Sequence, residues 1–595
     1  MSMSLRNTKI VATLGPACWD HDVLGEMYRS GVDVARINMS HGSDDEHRRA
    51  VNLVEEIRRG EAPGRPLALM LDTRGPELRL TGLEEAIEIE AGERIGLAGQ
   101  EDEVHAAPAD FPSFRVSIPH LVSRVPIGSR VLIDDGRIEL EAITVEDGWL
   151  VVSAAHRARI RPGKGVAFPG VSLSLPFLSS EDLRDIDLAA EIGADWLALS
   201  FVQEAADILA VRDHLGERAP GLMAKIETLA GYQNLDAILQ VVDGIMIGRG
   251  DLGVDCPPEE IPLMQKDIIH RCNRAGIPVI TATQMLESMI ENPIATRAEA
   301  SDVANAILDG TDAVMLSGET AAGSYPLETV ATMARIIERT ESGWIGGRPA
   351  TDSPTWSTSV TDAVARSAVW IAAEVDAEAV LTPTQSGHTA MMVSRYRPEV
   401  PVVAVTSSRQ VWRRLALAWG VHPLLKDAEG DVVEDAGEVA MRAKYVSPGA
   451  RVVVTSGQPQ GVPGTTNALQ VKTLGRILAR GSGVGRTVAR GRAVVEDAEG
   501  EISPEFSPGD ILIIRAWEPG MGAFAADAAA IVAEEPGLSS PAALAGLGWG
   551  IPVVVGVESA TTVVEAGAEI TVDARRGLVY SLRGPDVDDP MPRGG

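Results

Sequence analysis

Eight short apolar segments in the first half of the chain do most to limit the folds open to it. They are KIVATLG (9–15), VDVARIN (32–38), LALMLDT (67–73), DWLALSF (195–201), LMAKIET (222–228), GIMIGRG (244–250), PVITATQ (278–284) and DAVMLSG (312–318). Nearly continuous apolar runs of this kind mark strands buried on both faces, as in a parallel sheet. Most successive pairs are separated by a stretch with helical periodicity. SDDEHRRAVNLVEEIRRG (43–60), for example, opens on Ser and Asp and closes on Gly, as a capped helix does. Eight strand–helix units are the count of a TIM (β/α)8 barrel, which keeps its active site at the C-terminal ends of its strands. In this chain those ends are where the charged residues fall.

One interval is too long for a single crossover. Between Thr73 and Asp195 the sequence alternates apolar and polar residues, as in RVLIDDGRIELEAITVEDGWLVV (130–152), with a hairpin signal in the DDG at 134–136. Residues 76–176 therefore read as an all-β domain inserted into a barrel made of 1–75 and 177–343, placed to close over its mouth as a lid. The Gly/Pro/Ser-rich ESGWIGGRPATDSPTW (341–356) reads as a connector to a third domain, 344–475. There EAVLTPT, VPVVAVT and RVVVTSG alternate with helices, as in an open doubly wound α/β sheet. A last α/β unit, 476–584, holds β-type segments and an alanine-rich stretch read as helical, GAFAADAAAIVA (522–533). The Pro-, Gly- and Asp-rich tail, 585–595, reads as disordered.

With 84 Asp and Glu against 53 Lys and Arg, the formal charge is −31, which excludes nonspecific nucleic-acid binding. Only seven of the basic residues are lysine; that scarcity fits either a halophilic surface or a high-GC genome. Cys18, Cys256 and Cys272 show neither disulfide nor zinc spacing. No signal peptide or membrane-spanning run is evident, so a cytoplasmic location is expected.

The strand ends assemble a site. Lys225 and Glu227 follow one strand and Asp251 the next; such charges are costly there unless paired or metal-bound, and the carboxylates offer the hard oxygens Mg²⁺ takes. ARINMSHG adds Arg36, Asn38, Ser40 and His41, and LDTRGPELR adds Asp72, Thr73, Arg74, Glu77 and Arg79. Later strands add Thr283, Ser317 and Glu319. Arginines, a lysine and carboxylates in one mouth suit a metal-bound, doubly anionic substrate such as a phosphorylated acid.

ATLGPA, ARINMSHG, LDTRGPELR, AKIET, GRGDLGV, TATQMLESM, LSGETAAGSYP and PGTTN, in that order across residues 8–475, resemble the motifs of the pyruvate kinase family. The resemblance implies transfer of the phosphoryl group of phosphoenolpyruvate to ADP, the last step of glycolysis, by a homotetramer under allosteric control. It implies that Glu227 and Asp251 bind Mg²⁺ (or Mn²⁺) and that amides at Gly250 hold the substrate carboxylate. Lys225 would steady the phosphoryl group and enolate, Arg36 would hold the phosphate, Arg79 would join the catalytic set, and Thr283 and Ser317 would lie on the proton's route. Asn38, Ser40, Asp72 and Thr73, with Glu77, match a K⁺ site. Pro16, His41, Arg79 and Lys164 match nucleotide contacts, although His41 reads equally well as a core histidine. Arg74 stands where many members have Lys, and Ala322 replaces a frequent Lys.

In the third domain, Thr384, Gln385, Ser386, Gly387, His388 and Thr389 match a loop that holds a phosphorylated or nucleotide effector, with GVPGTTN (461–467) nearby. Residues 485–580 resemble the swivelling phosphohistidine domain of phosphoenolpyruvate-utilising enzymes. Pro541, in GLSSPAALAG (537–546), stands in place of the histidine, which points to a structural or regulatory role. A metal-dependent barrel aldolase or lyase, a dikinase and a non-catalytic pseudoenzyme are the competing readings; the first needs no lid, the second needs the histidine, and the third would be expected to lose Lys225, Glu227, Asp251 or Thr283.

Overall fold

The computed structural model describes residues 6–60, 64–76, 78–104, 111–134, 136–171, 173, 177–343, 359–426, 432–447, 449–457, 466–503 and 505–581. Glu77, the 344–358 connector, residues 461–465 and the 585–595 tail lie outside the described residues. The chain divides into two compact units. One comprises Met1–Thr358, Gln385–Pro398 and Thr406–Leu425; the other comprises Ser359–Thr384, Glu399–Val405 and Lys426–Gly595.

In the first unit, eight parallel strands close into a barrel: β1 (Lys9–Thr13), β2 (Val34–Asn38), β3 (Ala68–Asp72), β4 (Trp196–Leu199), β5 (Gly221–Ile226), β6 (Gly244–Gly248), β7 (Val279–Ala282) and β8 (Ala313–Leu316). Each pairs with its neighbours in chain order, and β8 closes on β1 with Ala313 opposite Lys9. Successive side chains on a strand point to opposite faces. Ile10 and Ala12 accordingly join the layer under the helices, while Val11 joins Val34, Met70, Trp196, Met223, Met246 and Met315 in the lumen. Gly221 leaves room for the indole there, since a Cβ on it would stand 2.7 Å from the Trp196 ring.

The N-terminal end of the barrel is stopped. Ala416 and Leu417 belong to the luminal cluster. Their segment is tied to the strand starts: Arg414 donates to the carbonyls of Asp195 (3.2 Å) and Ala219 (3.1 Å), and Asp312 accepts from Arg397 (2.9 Å) and the Trp419 amide (3.2 Å).

Lys9 is buried at the same end, its ammonium donating to the Val421 carbonyl at 2.8 Å. Burial is the main influence on it; with Asp33 and Glu341 pulling up and Arg6 and Arg65 pulling down, its pKa settles at about 8. The unfolded chain holds that proton until about pH 10.5, so stability should rise with pH between these values, by about 3 kcal/mol. Lys9→Met should lack the rise, and denaturant midpoints of both proteins from pH 7 to 10.5 check it.

Between β3 and β4 the chain forms the lid domain. Its seven-stranded sheet runs Val166–Ala167, Arg130–Ile133, Ile138–Glu146, Trp149–Ala154, Arg94–Gly99, Ser113–Val116 and Leu80–Thr81. The alternation read in 130–152 corresponds to antiparallel neighbours, and Asp134 and Gly136 take left-handed angles at the turn.

In the second unit, Val402–Thr406, Ala379–Pro383 and Arg451–Gly457 are neighbouring parallel strands, extended by antiparallel Thr466–Thr473. A mixed eight-stranded sheet follows, in the order Arg476–Arg480, Leu578–Ser581, Glu569–Asp573, Val488–Val495, Ile511–Ile514, Ala530–Ala533, Val553–Val555 and Ser482–Val484. The alanine-rich stretch departs from its helical reading: only Gly522–Ala525 is helical, and Ala530–Ala533 is a fully buried strand. Ile531 and Val532 prefer a strand, and pairing on both sides outweighs the helix propensity of alanine. Pro541 occupies the first turn of helix Pro541–Trp549, where a missing amide proton costs nothing, and Ser540 caps it.

Candidate active site

The C-terminal ends of the barrel strands carry a linked set of charges. Asp72, at the end of β3, is fully buried. One of its oxygens takes the Arg36 Nε at 2.7 Å, and the other lies 3.0 Å from the Lys225 ammonium. Lys225 is also 3.0 Å from Glu227 Oε1 and donates to Ser200 Oγ at 2.7 Å. Arg36 reaches Thr13 Oγ1 at 2.8 Å. Burial is the largest influence on Asp72 and would raise its pKa, but Arg36 and Lys225 together outweigh it and hold the carboxyl below its ordinary value. Burial likewise pulls on Lys225, and Asp72 and Glu227 overcome it, so the ammonium is held above its usual range. Lys225 is a fixed cation.

These groups open into a cavity of about 510 Å³ beneath the lid. Arg36, Lys225, Glu227, Asp251, Thr283 and Ser317 line its barrel side; Arg79, Asp134 and Lys164 line its lid side. Glu227 is set against the β6 end by a glycine: a Cβ on Gly248 would stand 2.6 Å from the Glu227 Cγ. Its second oxygen accepts from the Phe201 amide at 2.9 Å. The Gly250 amide donates to Thr283 Oγ1 at 3.0 Å. Ser317 is positioned through its amide, bonded at 2.6 Å to the buried Glu319, whose other oxygen holds the Leu286 amide. Burial pushes the Glu319 carboxyl upward.

The residues suit a divalent cation. Glu227 and Asp251 present hard oxygens to one cavity, the number of protein carboxylates a Mg²⁺ shared with a phosphorylated substrate takes. Among the described residues no group of three or more His, Cys, Asp or Glu is placed to hold a metal unaided. Asn38 stands opposite Asp72 in register, its Oδ1 accepting from the Ser40 amide at 3.1 Å. Thr73 Oγ1 accepts from the Ser200 amide at 3.2 Å.

Three family models match the chain. "Pyruvate kinase, barrel domain" covers residues 5–330, "Pyruvate kinase, alpha/beta domain" covers 362–472, and "PEP-utilising enzyme, mobile domain" covers 506–577. The chain belongs to the pyruvate kinase family. It is 45% identical to the pyruvate kinase of Geobacillus stearothermophilus over 97% of this chain and 98% of that protein. It is 42% identical to that of Sporosarcina psychrophila over 97% and 99%. A crystal structure of a pyruvate kinase from Cryptosporidium parvum superposes with a TM-score of 0.71 at 34% identity, covering 79% of this chain and 96% of that one. The protein is thus an enzyme of the pyruvate kinase type, a phosphotransferase.

Within this pyruvate kinase, Asn38, Ser40, His41 and Arg74 also border the cavity. His41 is exposed, so it is no core histidine; the buried histidine of that helix start is His47, whose ring bonds the His41 carbonyl at 2.7 Å. Asp72 and Thr73 lie behind the wall, and Gly250 meets the site through its amide. Pro16 is exposed on the turn after β1 and is not among the lining residues. Of the 384–389 loop, Ser386 Oγ accepts from the His388 amide at 3.4 Å and Gly387 has φ +85°. Three contributors escaped the sequence reading. Ser200 links Lys225, Asp72 and the Thr73 carbonyl (2.7 Å), and Phe201 fixes Glu227. Asp134 pairs with Lys164 at 2.7 Å. A serine and a phenylalanine after an apolar strand carry no signal of their own; Asp134 was visible only as a turn residue. Among the described residues, no helix is long and apolar enough to cross a membrane, and the three cysteines are buried free thiols.

Proposed function

We propose that this enzyme transfers the phosphoryl group of phosphoenolpyruvate to ADP, giving pyruvate and ATP, with Mg²⁺ required and K⁺ as activator. The observation that carries this is the convergence of Lys225, Arg36, Glu227 and Asp251 on one lidded cavity. Glu227 and Asp251 would hold Mg²⁺, which supplies charge neutralisation to the substrate's carboxylate and phosphate oxygens. Arg36, oriented by Asp72, grips the phosphate. An oxygen of the ADP β-phosphate attacks phosphorus, the bond to the enol oxygen breaks, and the enolate leaves with that electron pair. Lys225 stays charged throughout and lies ready to neutralise the metaphosphate-like group and the leaving enolate, in a reaction governed by positioning and charge. A proton reaching the enolate carbon by way of Thr283 and Ser317 completes the ketone. His41, Arg79 and Lys164 hold the nucleotide, with Lys164 exchanging its Asp134 partner for phosphate.

Asn38, Ser40, Asp72 and Thr73 are the oxygen donors proposed for K⁺. A coupled assay with phosphoenolpyruvate, ADP and Mg²⁺ should show turnover that rises about tenfold or more when K⁺ replaces a bulky organic cation, as expected of a charge placed to orient reactants. Full activity without K⁺ removes the activator, and no pyruvate with both cations present removes the reaction. A phosphorylated or nucleotide effector is proposed at the loop of Thr384, Gln385, Ser386, Gly387, His388 and Thr389. The C-terminal domain, with Pro541 at its helix start, is proposed to be structural or regulatory rather than a phosphoryl carrier.

A further inference from the structure

Thr283 and Gln284, which follow β7, both adopt left-handed backbone angles, with φ +64° and +54°. That region crowds any side chain and a β-branched one most, so two such residues in succession persist only where their surroundings hold them. Much of the hold comes from one side chain. Arg249, the residue after β6, donates from Nε to the Ala282 carbonyl at 3.2 Å. Its Nη2 donates to the carbonyls of Thr283 at 2.6 Å and Gln284 at 3.4 Å. The same guanidinium is fixed from behind: Nη1 donates to Asp302 Oδ1 at 2.9 Å and to Gln265 Oε1 at 3.3 Å. Asp302 stands on helix Arg297–Asp309, packed outside the strands.

A planar fork with five donors can gather three successive carbonyls and a carboxylate; a lysine cannot. The turn so held presents Thr283 Oγ1 to the Gly250 amide (3.0 Å) and to the Ala282 carbonyl (2.7 Å). Gly250 precedes Asp251, which lines the cavity with Thr283. Arg249 therefore ties the end of β7 to the end of β6 while staying out of the cavity lining itself.

We propose that Arg249, oriented by Asp302, is a positioning residue for the reaction: it holds the Thr283–Gln284 turn in the left-handed form that aims Thr283 at the reacting carbon and sets its distance from Asp251. The proposal rests on the assignment of Thr283 to the proton's route.

Steady-state kinetics and denaturant unfolding of Arg249→Met, Arg249→Met/Gln284→Gly, Asp302→Asn and Thr283→Ala test it. Arg249→Met should lower kcat about 30- to 100-fold with KM for both substrates within about threefold, the signature of lost alignment rather than lost binding. Glycine takes positive φ freely, so Gln284→Gly in that background should restore kcat by about fivefold or more. Asp302→Asn should lower kcat about five- to tenfold, and it serves as the test if Arg249→Met does not fold. A staple without a catalytic consequence predicts otherwise: a lower unfolding midpoint, kcat within about twofold of the parent and no recovery by glycine. That result, or an Asp302→Asn protein with parental kcat, overturns the proposal. Thr283→Ala separates the two levels. Parental kcat in Thr283→Ala overturns the assignment of Thr283 and the proposal with it, whereas loss there with parental kcat in Arg249→Met overturns the positioning role alone.

Discussion

Lys225→Met is expected to lower kcat by about 10³-fold or more, the scale of removing a preorganised charge from a site where charge is transferred. Methionine keeps most of the length and volume of lysine but contributes no cation. The parent ammonium sits 3.0 Å from Asp72 and from Glu227, and those carboxylates hold its proton above the usual lysine range. It cannot act as a base at neutral pH; its contribution is positive charge at a fixed point. Asp72 keeps Arg36 in the variant, so the fold should survive, as circular dichroism and the unfolding midpoint will show. A folded variant retaining more than about a tenth of parental kcat removes Lys225 from the mechanism.

The second large effect is expected at Asp72, which shares one buried carboxylate between two cations. Asp72→Asn leaves Arg36 and Lys225 close together without their common counter-charge, and breaking a buried pair this way costs about 3–5 kcal/mol. Activity should fall about 10²-fold or more, because Arg36 loses the charged acceptor that aims it and the proposed K⁺ site loses its one described carboxylate. The pH dependence has a definite sign. A carboxyl whose folded pKa lies below its unfolded value of 3.8 stabilises fully above that value and loses the contribution as pH falls through the depressed folded one. The stability gap between parent and variant should therefore be constant from about pH 5 to 7 and narrow below pH 3.8. A gap that stays wide in acid would mean the asparagine acts through packing rather than charge.

Most of the barrel was legible because its strands are buried on both faces, which forces continuous apolar runs that few other structures need. The lid was legible for the opposite reason, a period of two in a place where the barrel allows none. What escaped was set by tertiary packing. Ala530–Ala533 looks helical alone and is a strand because Ile511–Ile514 and Val553–Val555 flank it. Ser200 and Phe201 matter through partners on β3 and β5, and nothing in their own segment announces that. Arg249 was legible as part of GRGDLG, but its grip on three carbonyls at the end of β7 and just after it appears only when the two strands lie side by side.

The stopper formed by Ala416 and Leu417 has a kinetic corollary. With the foot of the cylinder corked and its bore filled with methionine and tryptophan, the reaction chamber is a cul-de-sac. Among the described residues the bore offers no passage along the barrel axis, and the chamber opens on the side the inserted β domain overhangs. In the proposed reaction pyruvate and ATP would therefore leave through the mouth that phosphoenolpyruvate and ADP entered, and any closing of the inserted domain over that mouth would have to be undone once in each cycle.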